Sequence, residues 1–326
     1  MTESTLSITY DQLAVTIAVF LGYSPTDTDW TDAQVAELDR YIQAGIRQFY
    51  YPPAGEGVPI GYEWSFLKPT TTVTTLERYA TGSLAVVGGT CTLSDGTWPS
   101  WAATHGTLVI DDTEYAITTR GSDTELTVVG DNTTADEDDW YLSHAGYQDL
   151  PDDLGRVIGN FYYSSSDYRS PVVQMSEFQI LAALSRTTSE SAPKTCNVRH
   201  KTQVAGAGQR LEVLWFPIPD SAYTLEYVYE AYSGAISTED NPYPLGGMKY
   251  AELVTESCLA KAEQRANDEQ GLHTVEFLRL LVAGIAHDKK QGATYYGPMS
   301  PVETNPHPRH GDTGSSYPIT YDGETW

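Results

Sequence analysis

The chain has 326 residues, enough for about two compact units or one large core carrying an insertion, and too many for one small domain. It sets 44 acidic against 19 basic side chains, a formal net charge of −25, and so negative a surface disfavours gripping DNA, because that binding draws on Lys and Arg displacing counterions. Apolar residues at 40% and aromatics at 11% exclude a disordered chain.

Tyrosine leads the aromatics, 23 against 7 Phe and 7 Trp, and an apolar ring with a polar tip suits half-wet contact surfaces, which points to recognition or assembly. Cys91, Cys196 and Cys258 are far apart, odd in number and without a C-x-x-C pair, so they are expected to be reduced and structural. The first apolar run, Leu13 to Leu21, is too short for the ~20 residues a bilayer span needs. No Lys or Arg precedes Arg40, and Glu3 and Asp11 stand where a signal peptide is basic, so no membrane is expected and the chain is placed in the cytoplasm where it is made.

Thr9 with Gln12 and Thr31 with Gln34 have capping-box spacing and predict two helices. Gly22 stops the first, and the second carries Val35, Leu38, Ile42, Ile46 and Phe49 as one apolar stripe before Pro52 and Pro53 end it. From Pro69 to Gly146 the pattern turns to short strands, among them Thr107–Asp111, Thr113–Thr119 and Leu126–Val129. Five or six of these predict a small barrel or sandwich inserted into a helical chain.

Ser176 with Gln179 opens a further short helix. Leu211–Phe216 and Tyr223–Tyr229 are expected to form a hairpin turning at Pro217, Pro219 and Asp220. Two helices follow, Met248–Asp268 and Leu272–Gln291, the latter with Val275, Leu278, Val282 and Ile285 on one face; Gly271 between them allows an antiparallel pair or a kink. After Gly292 no periodicity survives, and the aromatics Tyr295, Tyr296, Tyr317, Tyr321 and Trp326 predict a tail laid across a partner.

Chemistry is sparse. No phosphate-binding glycine loop, H-E-x-x-H or G-x-S-x-G occurs, Gly206-Ala207-Gly208 lacks a third glycine, and His307 and His310 lack a third ligand. No catalytic residue, cofactor or metal is assigned. Asp131, Asp136, Glu137, Asp138, Asp139, Asp149, Asp152 and Asp153 follow one another without an intervening Lys or Arg, and the expectation is a solvated acidic surface, with Asp136, Glu137, Asp138, Asp139, Asp152 and Asp153 as candidates to face an anion.

Five segments appear in a fixed order: LDRYIQAGIRQFYYPP (Leu38 to Pro53), YEWSFLKP (Tyr62 to Pro69), LPDDLGR (Leu150 to Arg156), WFPIPDSAYTLEYVY (Trp215 to Tyr229) and NPYPLGGMKYAELVTESCLAKAEQRANDEQGLHT (Asn241 to Thr274). Together they resemble the head-to-tail adaptor, or connector, proteins of tailed bacteriophages. The resemblance implies an α+β protein with a helical-bundle core, residues 1–68 and 147–291, an inserted all-β domain over 69–146, and an extended tail over 292–326. It implies a ring, commonly of twelve copies, in the virion neck beneath the portal protein, with the tail segment on the portal, a stopper ring or nozzle below, and genome DNA passing through without specific binding. The β insert marks a departure from the smallest adaptors. Twelve copies at −25 would carry about −300 formal charges, which keeps a bore from adhering to DNA.

Two other functions compete. A carbohydrate-binding tail component would use Trp98, Trp101 and Tyr115 of the insert as stacking platforms, and a glycan-cleaving enzyme would use acids between Asp136 and Asp153.

Overall fold

The computed structural model describes residues 3–291 except 56, 131–133, 138, 165–166, 168, 188, 203–207 and 268–270, together with 320–321 and 324–325. The fold is mixed α+β. Its helices are α1 (Tyr10–Phe20), α2 (Asp32–Tyr50), α3 (Ala102–His105), α4 (Glu177–Leu184), α5 (Ala251–Asn267) and α6 (Leu272–Gln291).

Capping boxes open α1, α2 and α4 where the spacing predicts them: Thr9, Thr31 and Ser176 each exchange hydrogen bonds with a glutamine three residues on. In α2, Leu38, Ile42, Ile46 and Phe49 are buried, whereas Val35 lies exposed beside Trp30, in the first turn and outside the packed stretch. The four longer helices share one apolar core that takes Ile17 from α1, Ile42 and Phe49 from α2, Cys258 from α5 and Phe277 from α6, with Trp64 among them. Because α5 and α6 pack on each other, Gly271 separates two helices and does not kink one.

The expected stripe of α6 is displaced. Only Ile285 of the four is buried; Phe277 and Leu281 join it, and Val275, Leu278 and Val282 face solvent. The rotation is set by Asp288, whose carboxylate accepts the Tyr62 hydroxyl at 2.6 Å and the Ser65 N–H at 2.9 Å. Burial opposes ionisation of Asp288, but the Ser65 and Tyr62 hydrogen bonds outweigh it and hold the carboxyl below its ordinary range.

The strands are β1 (Thr70–Thr74), β2 (Ser83–Val87), β3 (Thr90–Ser94), β4 (Gly106–Ile110), β5 (Thr113–Arg120), β6 (Glu125–Val128), β7 (Thr134–Glu137), β8 (Trp140–His144), β9 (Tyr147–Asp149), β10 (Leu154–Tyr163), β11 (Val173–Gln174), β12 (Thr195–His200), β13 (Leu211–Phe216) and β14 (Thr224–Ala231). Seven form one sheet in the order β7-β2-β3-β6-β5-β4-β8. Its edge strands β7 and β8 are consecutive in the chain, so the sheet curls into a half-barrel, and the expected barrel or sandwich is one bent layer. Asp111 and Asp112 turn β4 into β5 with φ of 49° and 60°, which aspartate tolerates better than most residues.

Leu84, Cys91, Leu108, Leu126 and Leu142 fill the concave side together with Trp98, which is 1% exposed. Trp98 meets Trp140 at 5.3 Å and Tyr79 at 6.2 Å between ring centroids, and Trp101 and Tyr115 pack half-buried on the same core. Of the three rings expected as sugar platforms, Trp98 is therefore a core residue, because a ring this large contributes more by filling the curl than by facing water.

The first strand-like run after Pro69 lies outside this sheet: β1 pairs with β14, which also pairs with β10. A second layer runs β11-β12-β13-β9. The expected hairpin of Leu211–Phe216 with Tyr223–Tyr229 does not form, since β13 and β14 belong to different layers. The reason is packing: Phe161 lies 5.0 Å from Trp215 and 4.8 Å from Tyr227, so the two strands bury their rings against each other across the layers and not side by side.

All three cysteines are free and buried, as expected, and burial pushes the thiols up, to about 11 at Cys91 and about 12 at Cys196 and Cys258. His144 ends β8 and accepts the Gly146 N–H on Nδ1 at 3.2 Å. Burial lowers its pKa from 6.5 to about 4, so the fold prefers neutral imidazole. The sign follows: its contribution is complete above pH 6.5 and is lost as pH falls towards 4, roughly 3 kcal/mol in all at 1.36 kcal/mol per unit. Urea midpoints should therefore fall between pH 6.5 and 4, and His144→Asn, which keeps an acceptor for Gly146, should flatten part of that slope; an unchanged slope would assign it to other groups.

Candidate functional site

The acidic candidates separate into two sets. Asp136 and Glu137 lie in β7, Asp138 lies outside the described residues, and Asp139 is exposed just before β8. Asp152 and Asp153 are engaged elsewhere: Asp152 pairs with Arg210 at 3.1 Å, and Asp153 accepts the Tyr229 hydroxyl at 3.0 Å. Asp149 likewise takes Lys201 at 2.7 Å. These cations come from the residue after β12 and the residue before β13, so the second half of the acidic run is partnered by chain distant in sequence. Of the tail aromatics, Tyr321 falls in a two-residue strand, Thr320–Tyr321, paired with Glu324–Thr325, and Tyr295, Tyr296, Tyr317 and Trp326 lie outside the described residues, as do His307 and His310.

What local spacing missed is exposed apolar surface. On α6, Leu272 and Val275 are 76% and 63% exposed, and Leu278 and Val282 continue the same stripe. At 100° per residue that stripe is turned by about 110° from the buried Phe277–Leu281–Ile285 face, so α6 carries two apolar faces and the fold buries one. A second patch lies on α4, where Ile180 is buried but Phe178 is 85% exposed with Leu181 and Met175 beside it. The signal was present in the sequence as an excess of Leu and Val around α6, more than one buried face requires. Contiguous apolar surface of this kind marks contact with another macromolecule, and it supplies no group that does covalent chemistry. No described helix is long and apolar enough to cross a membrane.

A family model, that of the SU10 adaptor protein, matches residues 92–302, well over half of the chain and everything from within β3 through α6. The chain belongs to this family of phage head-to-tail adaptors. No curated protein matches it. The curled β region, expected to depart from the smallest adaptors, lies largely within the matched part of this adaptor, and α1 and α2 precede that part. As a phage adaptor the protein is a component that interacts with other head and tail parts of the particle.

Proposed function

We propose that the adaptor closes into a ring of twelve copies beneath the portal protein, joins capsid to tail in the virion neck, and lines the channel through which the genome leaves. The observation that carries this reading is the second apolar face of α6, Leu272, Val275, Leu278 and Val282, held in solvent by a helix whose other face is already packed. A ring needs a heterologous interface, one surface of each copy against a different surface of the next, and the α6 and α4 patches are two such different surfaces. In this arrangement residues 1–68 and 147–291 form the ring wall and 69–146 sit outside it or meet a stopper ring or nozzle. Residues 292–326 dock on the portal through Tyr295, Tyr296, Tyr317, Tyr321 and Trp326. Those acidic residues of the ring wall that face the bore let DNA pass, because they offer no cations for counterion exchange.

The test is to mix purified adaptor with portal rings and image the product by electron microscopy. Wild type should dock as a closed ring. Val275→Lys with Leu278→Lys should stay folded and fail to close, and deletion of residues 292–326 should leave thermal unfolding nearly unchanged and abolish portal binding. Wild-type protein that neither closes nor docks in the presence of portal would end the reading.

A further inference from the structure

Basic side chains are scarce in this adaptor, and most described ones lie against a carboxylate or a ring: Lys68, Arg120, Arg156, Arg199, Lys201, Arg210 and Arg279 are ion-paired, and Arg78, Arg169 and Lys289 lie over tyrosines. Against that background four cations converge around a single carboxylate, Glu37, which Arg40 and Arg265 act on only at a distance. Arg40 and Arg47 of α2 and Lys261 and Arg265 of α5 line one groove of about 670 Å³. Among the described residues none of the four makes an ion pair. The single acid in the groove, Glu37, is already occupied: its carboxylate accepts the Tyr41 hydroxyl at 2.7 Å and the Tyr23 hydroxyl at 2.8 Å, which hold it below the usual carboxylate range. Lys261 is partly desolvated, which lowers its pKa and makes an approaching anion more favourable still.

We infer that this groove receives the acidic turn of a second copy of the same chain, residues 27–32. Charge complementarity selects it. The turn carries Asp27, Asp29 and Asp32, all exposed, and the first 39 residues contain no Lys or Arg. The turn leads directly into the N-terminus of α2, whereas the groove runs along the helix from Glu37 to its end. At 1.5 Å per residue, Asp32 lies roughly 12 Å from Arg40 and 22 Å from Arg47 along the axis, too far for the turn to fold back over its own groove. An acidic surface before α2 and a basic one along its middle and end satisfy each other between copies, head to tail, which is the interface type that closes rings. A duplex is the other polyanion to consider, and the formal net charge of −25 on the whole chain opposes it. The inference rests on the ring reading and adds to it the polar contact that fixes register.

The experiment uses full-length protein and portal, with ring formation followed by electron microscopy and association by sedimentation. Arg40→Glu with Arg47→Glu should weaken ring association by about tenfold or more, and Asp27→Lys with Asp29→Lys, on an exposed turn far from the core, should do the same. Combining the four changes in one chain should restore association, because both charges are reversed together. Melting by circular dichroism identifies any variant that has not folded; the turn variant then carries the test. If rings form with wild-type affinity in the folded single-surface variants, or if the combined variant shows no rescue, the inference falls while the ring stands. If the groove variant loses duplex-DNA binding and keeps association, the groove serves DNA and the inference falls. If wild type makes no ring on portal, both readings fall together.

Discussion

Replacing Trp64 by alanine should cost about 4 kcal/mol of stability, a large part of the 5–15 kcal/mol a domain usually has. The indole is fully buried where α2, α5, α6 and the chain around residue 65 meet. Its ring lies 5.2 Å from Phe49, 5.2 Å from Tyr62, 5.4 Å from Phe66 and 5.2 Å from Tyr250, so truncation removes the shared partner of four aromatic rings and leaves a cavity rigid neighbours fill poorly. The Nε1–H also donates to the Phe49 carbonyl at 2.8 Å, one of the acceptors left over in the last turn of α2. Trp64→Phe separates the two contributions: it keeps most of the apolar contact and should lose only about 1–2 kcal/mol. Urea unfolding followed by circular dichroism at fixed pH measures both. An alanine variant within about 1 kcal/mol of wild type would show that the aromatic cluster is not what holds the helices together.

The second large effect is expected at Gly45, where the usual rule for helices reverses. A glycine-to-alanine change in an exposed helix interior gains about 1 kcal/mol. Here a Cβ would stand 2.6 Å from both the Cα and the Sγ of Cys258 and 2.8 Å from its backbone N, so α2 and α5 would have to move apart. That separation also stretches the bond from the Ser257 hydroxyl to the Gly45 carbonyl, now 2.8 Å. Overpacking of this kind costs ~1–3 kcal/mol or more, and with the hydrogen bond it outweighs the propensity gain, so Gly45→Ala should destabilise by about 2 kcal/mol and Gly45→Val by more. Two controls sharpen the expectation. Gly284→Ala in α6 should cost less, because the nearest atoms to its Cβ are all in side chains, Leu253 Cδ2 at 3.1 Å, Trp64 at 3.4 Å and Tyr250 at 3.5 Å, and none is as close as the contacts at Gly45. Adding Cys258→Ala to Gly45→Ala should recover only part of the loss, since the backbone contact remains. A stabilised Gly45→Ala protein would show that the helices cross more loosely than described.

The curled sheet and the layered strands show how far single segments can be trusted. Thr107–Asp111, Thr113–Thr119 and Leu126–Val129 were legible as strands because alternation and a turn are properties of a few adjacent residues, and β4, β5 and β6 lie there. Their curvature was not legible, because it depends on β7 and β8 occupying opposite edges of one sheet. The same holds for Trp98: an aromatic in a β region suits a sugar or a core equally well, and only the rings of Trp140 and Tyr79 around it decide. Of the acidic run, composition revealed the charge but not its partners, since Lys201 and Arg210 are 52 and 58 residues from the acids they meet.

By itself the amino-acid order determined what is settled within one turn or one strand: the caps of α1, α2 and α4, the buried stretch of α2 from Leu38 to Phe49, the reduced cysteines, and the ordered segments by which the adaptor family is recognised. Tertiary structure alone decided which face of α6 is buried, which layer each of β13 and β14 joins, and which cations are left without acids. Each of those choices turns on a contact between groups far apart in sequence, such as Asp288 with Tyr62, or Phe161 with Trp215 and Tyr227. A helix with two apolar faces is locally indifferent to which one it buries. The free-energy difference between the alternatives comes from hydrogen bonds and packing that exist only once the distant chain has arrived.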